Sequence, residues 1–163
     1  MQLQTLTRYS AWANTLFFSA LEALPAGEAT KERPTVFKNM VHTFNHIYVI
    51  DSIFKAHLEG RPHHYTARNT PTPPPLAELR QLMETMDQWY IGYASALSAR
   101  QHDERVRFQF VGGGDGVMSR DEIITHIVNH ATYHRGTVAD LMHQVPAKPP
   151  VVDLTVFLRD VPQ

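Results

Sequence analysis

Apolar residues recur at helical spacing in four long segments of the chain: residues 3–24, 34–58, 76–99 and 119–145. The fourth segment opens with Ser119 and Glu122, whose three-residue spacing is typical of a capping box at a helix N-terminus. Helices of this length that carry one apolar stripe each bury those stripes against one another. The pattern therefore predicts an all-α fold with a four-helix bundle.

The connection between the third and fourth segments is long and has a different pattern. Residues 105–111 alternate polar and apolar side chains, as a strand does, and the glycine-rich residues 112–116 follow them. We expect a short hairpin or an extended crossover here. Residues 153–159 predict a short C-terminal helix with Asp153 near its N-cap. No repeat or long linker divides the chain, so we expect one domain over residues 1–163.

The composition narrows the range of functions. The 163 residues carry 15 Lys+Arg and 16 Asp+Glu, a net charge of −1, and thus lack the basic excess of a nucleic-acid binder. The absence of Cys excludes disulfides, thiolate nucleophiles and thiolate metal ligands. Residues 1–24 lack the continuous apolar region of a secretory signal, and no stretch approaches the ~20 apolar residues of a membrane span. We therefore expect a cytoplasmic protein with no membrane partner.

Ten of the residues are histidine, which is the commonest metal ligand among side chains. On a wheel of the fourth segment with Ile123 at zero and about 100° per residue, His134 falls near 20° and His130 near 340°. Both lie in the middle of the apolar stripe, while His126 lies on its flank. Two inward imidazoles one turn apart are either hydrogen-bonded core residues or metal ligands that reach a common point. Spacing alone does not decide between these readings.

A third ligand would have to come from another helix. The second segment offers His42, His46 and His57, and its wheel places His46 at the edge of the apolar stripe and His42 further out. This pattern does not select one of them. Asp51 falls inside the apolar arc, where it would hold an imidazole, meet a cation such as Arg135, or lie in water at the edge of the protein.

The remaining histidines lie at the ends of elements or in loops, where a solvated surface position is the expected role. They are His57, His63, His64, His102 and His143.

The fourth segment resembles the signature of the DinB family of metalloenzymes. The family pattern is a His, then an Asn-His pair, three residues and His-Arg-Gly, which here runs from His126 to Gly136. The stretch from Asn45 to Gly60 is similar to the family's second helix around its first ligand. Residues 9–25 and 152–161 also resemble the corresponding parts of the family, so the resemblance covers nearly the whole chain.

This resemblance implies a four-helix bundle, commonly dimeric, with three histidine ligands to one metal ion. Carried over residue by residue, the ligands are His46, His130 and His134, and His42 and His126 lie one turn upstream of ligands. Imidazole suits several divalent transition metals, of which we expect Zn²⁺ or Ni²⁺. The family often has Gln where this chain has Thr137, which leaves the ligands intact but alters details of the pocket or of a partner surface.

Other residues near the last ligand have less specific roles. We expect Arg135 to form a structural ion pair rather than to bind an anionic substrate, and Gly136 to let another helix approach closely. Four aromatic residues at helical spacing are expected to be core residues more often than pocket residues: Trp12, Trp89, Tyr90 and Tyr133.

Characterised members of the resembled family include metal-dependent thiol transferases and a mycothiol-dependent isomerase. Because the chain has no Cys, a low-molecular-weight thiol would have to come from outside. We therefore expect a metal-dependent enzyme of the thiol S-transferase type that acts on small electrophilic molecules. A metal-dependent hydrolase is one alternative, and a non-catalytic, damage-inducible dimeric module with structural histidines is another. We expect a homodimer, and none of these readings assigns a catalytic residue.

Overall fold

Helices dominate the protein, and one small sheet interrupts them. The computed structural model describes residues 3–162. The long helices are α1 (Leu3–Glu22), α2 (Met40–Leu58), α3 (Leu76–Ala96) and α5 (Arg120–Met142). The short elements are α4 (Ala99–His102), β1 (Arg105–Gln109), β2 (Asp115–Ser119) and α6 (Leu154–Asp160). None of the helices within residues 3–162 combines the length and hydropathy of a membrane-spanning segment.

The four long helices pack in a ring, which confirms the predicted all-α bundle. Helix α1 lies against α3 and α5, and α2 lies against the same two helices. One apolar cluster contains Phe17, Phe18 and Phe44, with the rings of Phe18 and Phe44 4.7 Å apart. A second cluster at the other end of the bundle includes Ile53 and Ile123, both at most 4% exposed. The apolar stripes of the sequence are thus the buried faces of the bundle.

Two helix boundaries differ from those predicted. Helix α2 begins at Met40 rather than at residue 34, because Asn39 has an extended backbone and its side chain accepts a hydrogen bond from the N–H of His42 at 2.8 Å. Helix α3 ends at Ala96 rather than at residue 99, because Leu97 leaves helical geometry with ψ at 124°. Ser98 then caps the unpredicted short helix α4. The Ser119–Glu122 capping box at the start of α5 is confirmed.

The long connection between α3 and α5 contains a hairpin, one of the two forms expected there. Strands β1 and β2 are antiparallel, and Val106 and Phe108 turn their side chains inward. The ring of Phe108 stacks on His57, 4.9 Å between centroids, and meets Phe54 edge-on at 5.4 Å. Gly116 lies where any Cβ would overlap the Phe108 ring. The hairpin therefore packs against the C-terminal part of α2.

A buried polar network fixes α5 against α1 and α3. Arg135 is 1% exposed and donates hydrogen bonds to Ser10, Asn14 and Thr132 at 3.1, 2.8 and 2.9 Å. The amide nitrogen of Asn14 donates to both carboxyl oxygens of Asp87 at 3.1 Å. The expected ion pair of Arg135 is therefore replaced by an amide bridge, because Asn14 can accept from the guanidinium and donate to the carboxyl at once.

The structure also tests the expectations for Gly136 and for the four aromatic residues. The expectation for Gly136 is wrong, since within residues 3–162 no atom other than those of its own turns of helix lies within 4 Å of the position its Cβ would take. Trp12 packs on Phe157, and Tyr90 is buried with its hydroxyl donating to the backbone carbonyl of Asp51 at 2.8 Å. Trp89 is partly buried against the same core, whereas Tyr133 is 73% exposed.

The polar network generates a stability prediction. The Asn14→Ala variant leaves both Arg135 and Asp87 without their shared partner in the core, so its free energy of unfolding should fall by about 2–4 kcal/mol. Urea denaturation followed by circular dichroism measures this. The neighbouring, exposed Thr15→Ala substitution is the control and should change stability by less than about 0.5 kcal/mol. If the two variants have equal free energies of unfolding, the network does not stabilise the fold.

Candidate metal centre

Three histidines meet where α2 packs against α5. His46 comes from α2, and His130 and His134 come from successive turns of α5. One ring nitrogen of each lies within 4.8 Å of those of the other two. The Nε2 atoms of His46 and His130 are 3.0 Å apart, and the ring centroids of the three residues are 4.5–4.8 Å from one another. The structure thus brings together His130 and His134, which the helical wheel favoured, and His46, which the family resemblance implied.

The orientation of His46 is fixed by the backbone of a loop. Its Nδ1 lies 2.6 Å from the carbonyl oxygen of Arg68, which can only accept, so Nδ1 carries the proton and Nε2 presents a lone pair to the cluster. Phe37 stacks on the other side of the ring at 4.2 Å. An imidazole whose second nitrogen is held by a carbonyl is the arrangement that orients histidine ligands in metalloproteins.

The loop that carries Arg68 is itself tied to α2. The amide of Asn45 donates to the hydroxyl of Thr70 at 2.7 Å and also contacts Asn69. The Asn69 amide donates to the backbone carbonyl of His42 at 3.0 Å. Side chains on the first turns of α2 therefore place the carbonyl that orients His46.

All three imidazoles are held neutral. Burial lowers the pKa of His130 to about 3, with further contributions from the neighbouring His134 and His46. Burial lowers the pKa of His134 to about 4, and His46 adds to that shift. Burial also lowers the pKa of His46, against the opposing effect of its hydrogen bond to the Arg68 carbonyl. At neutral pH the cluster therefore offers lone pairs, the form in which histidine binds metals.

The two candidates one turn upstream lie outside the cluster. The Nε2 of His42 is 3.2 Å from the carbonyl oxygen of Thr70, which engages it in the loop contact. His126 packs on Phe54 with 5.0 Å between ring centroids and lies 5.7 Å from the ring of His130. The wheel placed His126 on the flank of the stripe, and that is where it lies.

The other five histidines make contacts elsewhere. His57 stacks on Phe108 and meets His63 edge-on. The ring of His64 lies tilted against Tyr65, and Nδ1 of His102 is 2.6 Å from the Asp121 carboxylate. His143 is exposed at the C-cap of α5.

Asp51 belongs to the bundle interior rather than to the histidine cluster. It is 3% exposed, so the edge-in-water alternative is wrong. Its Oδ1 has no hydrogen-bond partner among residues 3–162, which leaves no imidazole held by that atom. Burial raises the pKa of Asp51 well above its usual range, and the nearby Asp87 raises it further while Arg135 opposes the shift. Arg135 therefore acts on Asp51 through its charge, and none of the ion pairs formed within residues 3–162 joins the two side chains.

The cluster forms one wall of an open cavity of about 680 Å³. Apolar residues such as Ile50 and Phe54 line it, together with Tyr133 from the same helix as two of the histidines. Thr137, the position at which the chain departs from the resembled family, also lines it. Arg135 is absent from the described lining, which agrees with a structural role.

Sequence reasoning missed five residues that line the cavity from loops or the hairpin: Thr35, Val36, Phe37, Arg68 and Phe110. All lie outside the long helices, where helical periodicity carries no information. The alternation along residues 105–111 predicts that Phe108 and Phe110 share a face, but not which helix that face meets.

Comparison with known proteins agrees with this architecture. A sequence model of the DinB family matches residues 1–161. The chain belongs to the DinB family. It is 26% identical over 166 residues to the protein DinB of Bacillus subtilis (strain 168), covering 94% of this chain and 91% of that protein. A crystal structure of a DinB-like protein from Bacillus cereus ATCC 10987 shares the fold, with a TM-score of 0.67, 15% identity, and coverage of 91% of this chain and 95% of that one.

The lowered pKa values predict that acid destabilises the metal-free protein through this cluster. Unfolded histidine takes up a proton near pH 6.5, whereas folded His130 and His134 resist protonation down to about pH 3 and 4. Stability contributed by these groups is complete above pH 6.5 and is lost as the pH falls through that window. Between pH 7.5 and pH 5 we expect a loss of about 2–3 kcal/mol, a figure reduced for the partial exposure of His134.

Urea denaturation at the two pH values measures this loss, and His130→Gln should remove about half of it. The exposed His143→Gln is the matched control and should retain the wild-type difference between the two pH values. If His130→Gln and wild type lose the same stability on acidification, the cluster does not exclude protons.

Proposed function

We propose that this protein binds one divalent transition-metal ion through His46, His130 and His134 and uses it in chemistry on a small molecule held in the adjoining cavity. The observation that carries the proposal is the convergence of three neutral imidazoles on one point in the cavity wall. The DinB family membership and the shared fold agree with it.

The residues fit such an ion. The Nε2 atoms of His46 and His130, 3.0 Å apart, are close enough for one ion about 2.0–2.1 Å from each to touch both. Bringing three imidazoles together in a partly buried cluster costs free energy, because their nitrogen lone pairs lose water and face one another. A cation bound between them would offset that cost. Imidazole donors suit Zn²⁺ or Ni²⁺, and three protein ligands leave further positions open.

The rest of the chain prepares the site. The Arg68 carbonyl keeps the lone pair of His46 aimed at the cluster, and Phe37 covers the ring. Apolar walls formed by Ile50 and Phe54 limit the water around a bound molecule, which strengthens electrostatic interactions there. A bound metal ion would supply Lewis acidity or hold a thiol as its thiolate.

The reaction that we favour is transfer of an external thiol to an electrophile. The chain contains no Cys, so the sulfur comes from a small cosubstrate. The thiolate sulfur attacks an electrophilic carbon, a carbon–sulfur bond forms, and the bond from that carbon to the leaving group breaks with its electron pair. The thiol proton goes to solvent. A cavity of about 680 Å³ is in the range that holds a small organic molecule.

Metal content tests the binding claim. Protein purified without a tag and reconstituted with Zn²⁺ or Ni²⁺ should hold about one ion per chain by elemental analysis, and His130→Ala should weaken binding by at least about 100-fold. His126→Ala, one turn away on the same helix, is the control and should retain the ion. Less than a tenth of an equivalent in reconstituted wild-type protein would overturn the proposal.

Turnover tests the reaction class. Metal-loaded protein with 2-mercaptoethanol and 1-chloro-2,4-dinitrobenzene should form the thioether and release chloride faster than His130→Ala does. Metal-loaded protein that accelerates neither this reaction nor that of other thiol and electrophile pairs would exclude thiol transfer while leaving metal binding intact.

A further inference from the structure

The cavity at the histidine cluster does not end there. A second cavity of about 240 Å³ shares Ile50, Phe54, Arg68 and Phe110 with the first. The shared residues make one cleft that runs from the three histidines to the ring of Phe108 under the hairpin. Apart from Arg68, the residues shared by the two cavities are aliphatic or aromatic, a surface that fits an apolar molecular body.

This cleft has one fixed charge. Among the described residues that line the two cavities, Arg68 is the only lysine, arginine or carboxylate. Burial lowers the pKa of the further lining histidines His57 and His126, so they too are held neutral. None of the ion pairs formed within residues 3–162 involves Arg68. Arg68 is an exposed residue that lines the cleft, and its charge has no internal counterion among the described residues.

The position of that charge is tied to the histidine site. Arg68 orients His46 through its backbone carbonyl, and the same residue lines both parts of the cleft. The hydrogen bonds of Asn45 and Asn69 hold the loop, so the guanidinium starts from a fixed backbone position beside the cluster. An arginine at the side of an apolar cleft is suited to hold a carboxylate or sulfonate through paired N–H donors.

We infer that the cleft selects a small organic anion with an aromatic or aliphatic body, whose acidic group binds the Arg68 guanidinium while its body lies between Phe54 and Phe110. The inference names the substrate class of the proposed function and rests on it. The ligand's reacting end would then face the three histidines.

Two fluorescent probes of the same skeleton test this selection. One is 1-anilinonaphthalene-8-sulfonate, and the other is N-phenyl-1-naphthylamine, which lacks only the sulfonate. Titrations use chelator-treated, metal-free protein, so that no metal ion attracts the anion. The wild-type protein should bind the sulfonate about tenfold more tightly than the neutral probe, the scale of one charge-assisted contact at a partly solvated site.

Variants assign the effect to the cleft. Arg68→Gln should weaken sulfonate binding about tenfold and leave the neutral probe within about twofold. Arg68→Lys should retain part of the preference because it keeps the charge but not the paired donors. Arg107→Gln, an exposed arginine on β1 outside the cavity lining, removes the same net charge and should match wild type. Phe110→Ala should weaken both probes.

The outcomes separate the two proposals. Equal binding of the two probes, or a sulfonate preference that survives Arg68→Gln, would overturn the anion inference whatever the metal content. A preference that depends on Arg68 in a protein that takes up no metal would support the cleft as an anion-binding site and overturn the metal proposal alone.

Discussion

The meeting of three neutral imidazoles across the α2–α5 contact is the interaction on which the rest of the site depends. An imidazole can bind a metal cation only in its neutral form, and burial lowers the pKa of His130 and His134 and so keeps both rings neutral. The cluster therefore resists protonation and keeps its nitrogen lone pairs available for a metal cation. The Arg68 carbonyl and the stacked Phe37 hold the His46 ring in the cluster, and the cavity opens onto all three histidines.

One face of helix α5 carries His130 and His134 into the site, and another face packs against α1 through Arg135. His134 and Arg135 are adjacent in sequence, so their side chains leave the helix about 100° apart. The first faces the cavity, and the second is buried against α1 through Ser10 and Asn14. The network holds the histidine-bearing turn in place from behind, without supplying a group to the cavity. This division explains why an arginine beside a ligand position need not contact a substrate.

Helical periodicity predicted much of the fold and part of the site. The four stripes, the capping box at Ser119 and the inward phase of His130 and His134 follow from short-range spacing that each helix carries within itself. The choice of His46 over His42 did not follow, because it depends on the Arg68 carbonyl and the Thr70 carbonyl, both on a loop more than twenty residues away. Family resemblance supplied that choice.

The start of α2 and the expectation for Gly136 failed for a related physical reason. Apolar spacing extends back to residue 34, but the cap at Asn39 decides where hydrogen bonding begins. A glycine on a helix indicates a close approach only when another chain segment is there, and Gly136 has none within 4 Å among the described residues. The cleft residues Arg68 and Phe110 lie on irregular or hairpin segments whose placement is tertiary.

The proposed function depends on one ion that three histidines of two helices hold jointly. A crystal structure of the Zn²⁺-loaded protein, with anomalous diffraction measured at the zinc edge, tests this most directly. We expect one strong peak per chain about 2.0–2.1 Å from a ring nitrogen of each of His46, His130 and His134. A peak at His57 or His126 instead, or none at the cluster in crystals with saturating Zn²⁺, would contradict it.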